Sequence, residues 1–126
     1  RLGIVSNNST ESIKMGLDHL DLEEYFDAII TRDDVSETKP APEGLHKILD
    51  VLNIHQEDTL FIGDTSNDIL AAKNAGIHSV MVGWSHMTID EIMALEPDYI
   101  ILLPEHLLNV IDTLNSESNL QDKVAS

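Results

Sequence analysis

The sequence predicts an α/β fold, a parallel sheet with helices on both faces. Three observations carry this. Five short apolar segments, at 2–5, 28–31, 59–62, 79–82 and 99–102, are spread along the chain. Between them lie stretches whose apolar residues recur at helical spacing. The segments are apolar at successive positions, as in strands buried on both faces by helices.

The elements follow in order. Leu2 to Val5 makes the first strand, which stops at Ser6-Asn7-Asn8. Asn8 with Glu11 has the spacing of a capping box, and Ile13, Leu17 and Leu20 continue at helical spacing. Residues 28–31 form a second strand. Residues 32–42 are polar, hold two prolines and predict a loop, with Pro42 suited to the first turn of a helix. Leu45, Ile48, Leu49 and Leu52 then fall on one apolar stripe. The third strand, 59–62, ends at Gly63-Asp64. Asn67 or Asp68 opens the next helix, which runs through Ala75 and is capped by Gly76. After the fourth strand at 79–82, Thr88 and Glu91 form a second capping box before Ile89, Ile92 and Met93. A fifth strand at 99–102 and a helix at 105–114 complete the core. Residues 115–126 are polar, lack an apolar stripe and predict a frayed, disordered tail.

Composition narrows the function. A chain of 126 residues fits one domain and one core. There is no cysteine, which excludes disulfides, thiolate zinc sites and a cysteine nucleophile. Seven Lys and Arg against 23 Asp and Glu leave a net charge of −16. Such a field repels phosphate backbones and anionic lipid surfaces, so neither nucleic acid nor membrane is expected as a partner. No apolar run approaches the roughly 20 residues that span a bilayer. The chain opens Arg1-Leu2-Gly3, without a Met and without a basic-then-apolar leader. The expectation is a cytoplasmic protein, cut from a larger one.

In parallel sheets ligands gather at the carboxyl ends of the strands. Three polar motifs fall there. Ser6 and Asn7 offer a hydroxyl, an amide and backbone N–H groups near a helix start, a seat for an anion or a simple cap. Asp64 and Asp68 stand four apart across a strand-to-helix turn, where both carboxylates can face one point and suit Mg²⁺. The plainer reading makes Asp64 a turn residue and Asp68 a helix cap. Gly63 permits the tight turn. Lys39 is either a solvated loop lysine or the cation that neutralises a phosphate. The six histidines show no i, i+4 pair and read as surface or packing residues. Trp84 lines the rim of the site or packs ordinarily.

Taken together, and in this order, the motifs resemble those of the haloacid dehalogenase-like hydrolase superfamily, in its phosphoglycolate phosphatase-like branch. Ser6-Asn7 resembles the family's second motif, and Lys39 before Pro40 its third. Gly63-Asp64-Thr65-Ser66-Asn67-Asp68 resembles its fourth, in the form found in Mg²⁺-dependent phosphatases. The resemblance covers about residues 2 to 112 and implies a Rossmann-like sheet. It implies phosphate binding by Ser6 and Asn7, a catalytic Lys39, and a metal held by Asp64 with support from Asp68. It also implies hydrolysis of a small phosphorylated metabolite, phosphoglycolate-like, through an aspartyl-phosphate.

The sequence departs from that pattern in one respect. It contains no Asp-x-Asp, the first motif that supplies the nucleophile and the acid/base. In the family that motif lies upstream, on a strand at the centre of the sheet, often with a cap domain inserted after it. The sheet is therefore expected to be incomplete at its N-terminus, its central strand coming from a missing N-terminal segment or a partner. On this expectation the chain is inactive by itself. A metal-free dehalogenase fits the paired acids poorly. In a receiver-like phospho-acceptor the acids precede the lysine, whereas here Lys39 precedes Asp64.

Overall fold

The computed structural model describes the backbone of residues 1–125 and the side chains of residues 1–117. Strands and helices alternate: β1 (Gly3–Val5), α1 (Thr10–His19), β2 (Ala28–Ile30), α2 (Glu43–Leu52), β3 (Leu60–Gly63), α3 (Ser66–Ala75), β4 (His78–Val82), α4 (Ile89–Leu95), β5 (Tyr99–Ile101) and α5 (His106–Ala125). Every strand pairing is parallel. The expected α/β class with a parallel sheet is the observed one.

The helices cover both faces, and β4 shows why its residues are apolar throughout. Val80 and Val82 face Val110 of α5, together with Ile101 of β5. Met81, between them, turns to the other face and packs on Ile69 of α3 and Ile92 of α4. Val80, Met81 and Ile69 are all 0% exposed, so both faces of this strand are core. On the second half of the molecule, Ile48 and Leu52 of α2 pack on Ile30 of β2.

Thr88 caps α4 as expected, whereas the caps of α1 and α3 differ from the sequence expectation by one to three residues. Ser9, not Asn8, caps α1, its hydroxyl accepting from the Ser12 N–H. The Asn8 carbonyl instead accepts from the Arg32 N–H, 3.0 Å away, tying the β1 loop to the β2 loop. Thr65, not Asn67 or Asp68, caps α3, and Asp68 sits at its third position in a reciprocal capping box. Gly76 closes α3 as expected, at φ 70°, a conformation a Cβ would strain. Leu20, expected on the buried face of α1, is 63% exposed. The backbone of α5 runs through Ala125, beyond the expected end at residue 114. The side chains of the expected tail from 118 onward lie outside the described residues.

The sheet is split. β1 pairs with β2, and β3 with β4 and β5, but β1 and β3 belong to separate sheets. Between them lies a cleft of about 590 Å³. Gly3 and Val5 line it from one side and Leu60 and Ile62 from the other. Leu45 and Leu49 of α2 and Leu107 and Ile111 of α5 also line it.

Truncation of a residue at the α3–β4–α4 junction leaves a void that the close-packed layers cannot fill. Ile69→Ala should lower the unfolding free energy by about 2 to 5 kcal/mol, measured by urea denaturation. Val51→Ala, at a position 64% exposed, should stay within about 0.5 kcal/mol of the parent.

Candidate functional site

The carboxyl ends of β1 and β3 and the loop before α2 meet around one ammonium group. Lys39 Nζ donates to the Val5 carbonyl at the end of β1, 2.9 Å away. It also donates to Asp68 Oδ1 at 2.6 Å, forming an ion pair. The two side chains are 10% and 9% exposed. The ammonium lies 5.2 Å from the centre of the Phe61 ring, in reach of its negative face.

Asp68 is held as firmly as it holds. Its Oδ2 accepts from the Asp64 N–H (3.1 Å), the Thr65 N–H (3.2 Å) and the Thr65 hydroxyl (2.9 Å). With Lys39 on Oδ1, four donors point at one carboxylate. Burial works to raise the Asp68 pKa. The Lys39 hydrogen bond and charge, together with the Thr65 hydroxyl and the Asp64 N–H, outweigh it and hold the carboxyl below its usual range. Gly63 makes room for this, because a Cβ there would overlap the Asp68 Cβ and carboxyl.

Asp64 has the opposite surroundings. It is exposed, at the first position after β3. Only its backbone is tied into the Asp68 cluster. Mg²⁺ takes about six oxygen ligands. Among the described residues no group of three or more His, Asp or Glu gathers to hold a metal. The donor set thus suits a metal with one open carboxylate, Asp64, while Asp68 is engaged with Lys39. The remaining ligands would have to come from water, substrate or residues outside this chain.

Ser6 and Asn7 lie beside the lysine loop. The Ser6 N–H donates to the Ile30 carbonyl at 3.0 Å, continuing the β1–β2 ladder. Its hydroxyl oxygen accepts from the Asn8 N–H at 3.1 Å, which leaves its proton available to an anion. Asn7 is engaged through its side chain. Its Nδ2 donates to the Lys39 carbonyl and its Oδ1 accepts from the Lys39 N–H, both at 3.1 Å. The fold therefore brings Ser6, Asn7, Lys39 and the Asp64–Asp68 turn to one rim. Trp84, 53% exposed, does not pack in the core.

Sequence reasoning missed the supporting cast. Thr65 was legible, since Thr followed three residues later by an acid is a capping-box spacing. The Phe61 ring, the Val5 carbonyl and the Asn74 amide, which donates to the Pro40 carbonyl at 3.0 Å, carry no sequence signal for this role.

The Asp68 carboxyl binds its proton less readily in the folded state than in the unfolded one. Its contribution to stability is therefore present at neutral pH and lost as pH falls below about 4. Asp68→Asn should cost on the order of 3 kcal/mol at pH 7, because it leaves the Lys39 ammonium buried without its counter-charge. In denaturation curves taken from pH 7 down to pH 3, the gap between parent and variant should narrow in acid.

The comparisons with known proteins bear on family and fold. The family model described as haloacid dehalogenase-like hydrolase matches residues 1–82. A curated relative named pyrophosphatase PpaX, from Bacillus mycoides, is 36% identical over 115 residues, covering 91% of this chain and 54% of its own. A solved HAD-superfamily hydrolase of subfamily IA from Geobacter sulfurreducens superposes with a TM-score of 0.74 at 29% identity, over 86% of this chain and 51% of that one. A structure named a predicted phosphoglycolate phosphatase, from Haemophilus somnus, superposes with a TM-score of 0.78 over 86% of this chain and 48% of its own. At 24% identity it speaks to the fold alone. The chain spans about half the length of the curated relatives it matches. With three motifs on one rim and the family model covering 82 of its 126 residues, the chain belongs to the haloacid dehalogenase-like hydrolases.

Proposed function

We propose that these residues form part of a Mg²⁺-dependent phosphatase that hydrolyses a small phosphorylated metabolite in the cytoplasm. The observation that carries this is the Lys39 ammonium, fixed between the Val5 carbonyl and Asp68 where β1 and β3 end. A cation held at a strand rim, beside a free hydroxyl proton on Ser6, suits the oxygens of a phosphoryl group. It needs no rearrangement when charge develops on them. Asp64 would hold Mg²⁺, with Asp68 as its support in the same turn. The metal would neutralise phosphoryl charge and orient the group for displacement.

The nucleophilic carboxylate is assigned to a segment outside these residues. That segment forms a strand in the cleft between β1 and β3, where both strands have open edges among the described residues. Its carboxylate would form the new O–P bond as the bond from phosphorus to the substrate's leaving oxygen breaks, that oxygen taking a proton from the second, acid/base carboxylate of the same segment. Water then hydrolyses the aspartyl-phosphate. The relatives' name makes pyrophosphate a substrate candidate alongside phosphoglycolate.

A second reading is a phosphate- or Mg²⁺-binding module without catalysis. The absence of any Asp-x-Asp in the 126 residues favours it for this chain taken alone.

The natural polypeptide that carries these residues, at full length, should release phosphate from pyrophosphate, 2-phosphoglycolate or p-nitrophenyl phosphate with Mg²⁺ and stop in EDTA. Asp64→Ala and Lys39→Ala should each cost at least about 100-fold in kcat/KM, as loss of an electrostatic stabiliser does. Equal turnover in EDTA would exclude the metal. Residues 1–126 alone should release no phosphate above background, and turnover by them would place the nucleophile within this chain.

A further inference from the structure

We infer that Asn7 is a positioning residue for Lys39 and acts through its side-chain amide, not by offering that amide to phosphate. The inference rests on the reading of Lys39 as the cation that faces the phosphoryl group. Lys39 lies in the loop before α2, where it has no strand neighbour to satisfy its backbone. The Asn7 amide takes that neighbour's place. It accepts from the Lys39 N–H and donates to the Lys39 carbonyl, each at 3.1 Å. The two residues are 32 apart in sequence, so this contact ties the loop to the end of β1 across the fold, beyond the local Ala41 N–H to Thr38 carbonyl turn.

The end of β1 thus grips Lys39 at two points. Asn7 holds its backbone, and Val5, two residues earlier, holds its ammonium at 2.9 Å. On the far side, Asn74 of α3 donates to the Pro40 carbonyl at 3.0 Å. With both ends of the side chain fixed, the four-carbon stem has little freedom left. The ammonium then stays on the Asp68 carboxylate without searching among rotamers. No other residue type makes the same pair of bonds at this length. Serine is too short, and aspartate would set an oxygen against the Lys39 carbonyl.

Two readouts test the inference in the full-length polypeptide. The first is kinetic, with p-nitrophenyl phosphate and Mg²⁺. Asn7→Ala should lower kcat on the order of tenfold to a hundredfold with KM nearly unchanged, as a misplaced catalytic group does. On a Lys39→Ala background the same change should cost no more than about twofold, because the two act as one unit. Additive losses, or a loss confined to KM, would overturn the inference. The second readout needs no turnover. Lys39 acetylation by acetic anhydride is measured by mass spectrometry against the exposed Lys47 in the same molecule. Asn7→Ala should raise the Lys39 rate several-fold above that in Ile92→Ala, a destabilised control away from the loop. Equal rates in the two variants would overturn the inference. If the parent releases no phosphate at all, the phosphatase reading fails, and the acetylation result alone decides the role of Asn7.

Discussion

The Lys39–Asp68 ion pair is the constraint on which the rest of the rim depends. Lys39 reaches the β1–β2 half of the sheet through the Val5 carbonyl, and Asp68 belongs to the helix that follows β3 in the other half. The pair therefore crosses the split. A buried pair of this kind gains little net stability, since desolvation offsets most of the attraction. What it does fix is geometry. Asp68 can hold Lys39 only because Gly63 lacks a Cβ and Thr65 supplies two donors to the other carboxylate oxygen. Each of those residues serves the ammonium through Asp68.

On the proposed reading, a chain of net charge −16 has to draw in an anionic substrate, and this pair can do so only in part. The field of the whole molecule opposes an anionic substrate. Local attraction has to come from few sources, and only seven residues are Lys or Arg. Lys39 is buried beside its counter-charge, so the ammonium is partly neutralised before any ligand arrives. If Ser6 and the exposed Asp64 complete a phosphate-binding rim, as proposed, its attraction for phosphate would depend on a bound cation. This is the physical reason to place Mg²⁺ at Asp64 and not to rely on Lys39 alone.

The strands were legible because burial on both faces leaves a mark that needs no knowledge of partners. The run Ser79-Val80-Met81-Val82 reads as a strand before any neighbour is known, while its pairing with β3 and β5 comes from the structure. Helix starts were less legible. Asn8 and Ser9 are both good caps, and the choice fell to Ser9 because the Asn8 carbonyl is drawn to the Arg32 N–H across the sheet. The site was legible residue by residue but not in its wiring. Ser6, Asn7, Lys39, Asp64 and Asp68 were named from strand-end position and motif. That Asn7 serves a backbone 32 residues away, and that Asp68 faces Lys39 as well as its own turn, depends on tertiary placement.

The split sheet holds together because its two faces are unequal. On the α2–α3 face one cluster spans the gap. Leu45 and Leu49 of α2 and Ala71 and Ala75 of α3 pack with Val5 from β1 and Phe61 from β3. The small alanines let α3 approach closely, and Ala71 and Ala72 are 0% exposed. On the other face, Val110 of α5 packs on β4 and β5, and Leu60 of β3 joins that cluster. No residue of β1 does, and Ile62 of β3 remains 41% exposed. The half-sheets are thus fastened from one side and open from the other. A strand entering the cleft would find Leu45 and Leu49 already in place beneath it and the exposed Ile62 and Ile111 above. It would pair with the free edges of β1 and β3 and cover Ile62. If it ran parallel to them, as every observed pairing does, its carboxyl end would come out between Val5 and Gly63, beside Lys39, where the proposed nucleophile would have to stand for that ammonium to act on the same phosphoryl group.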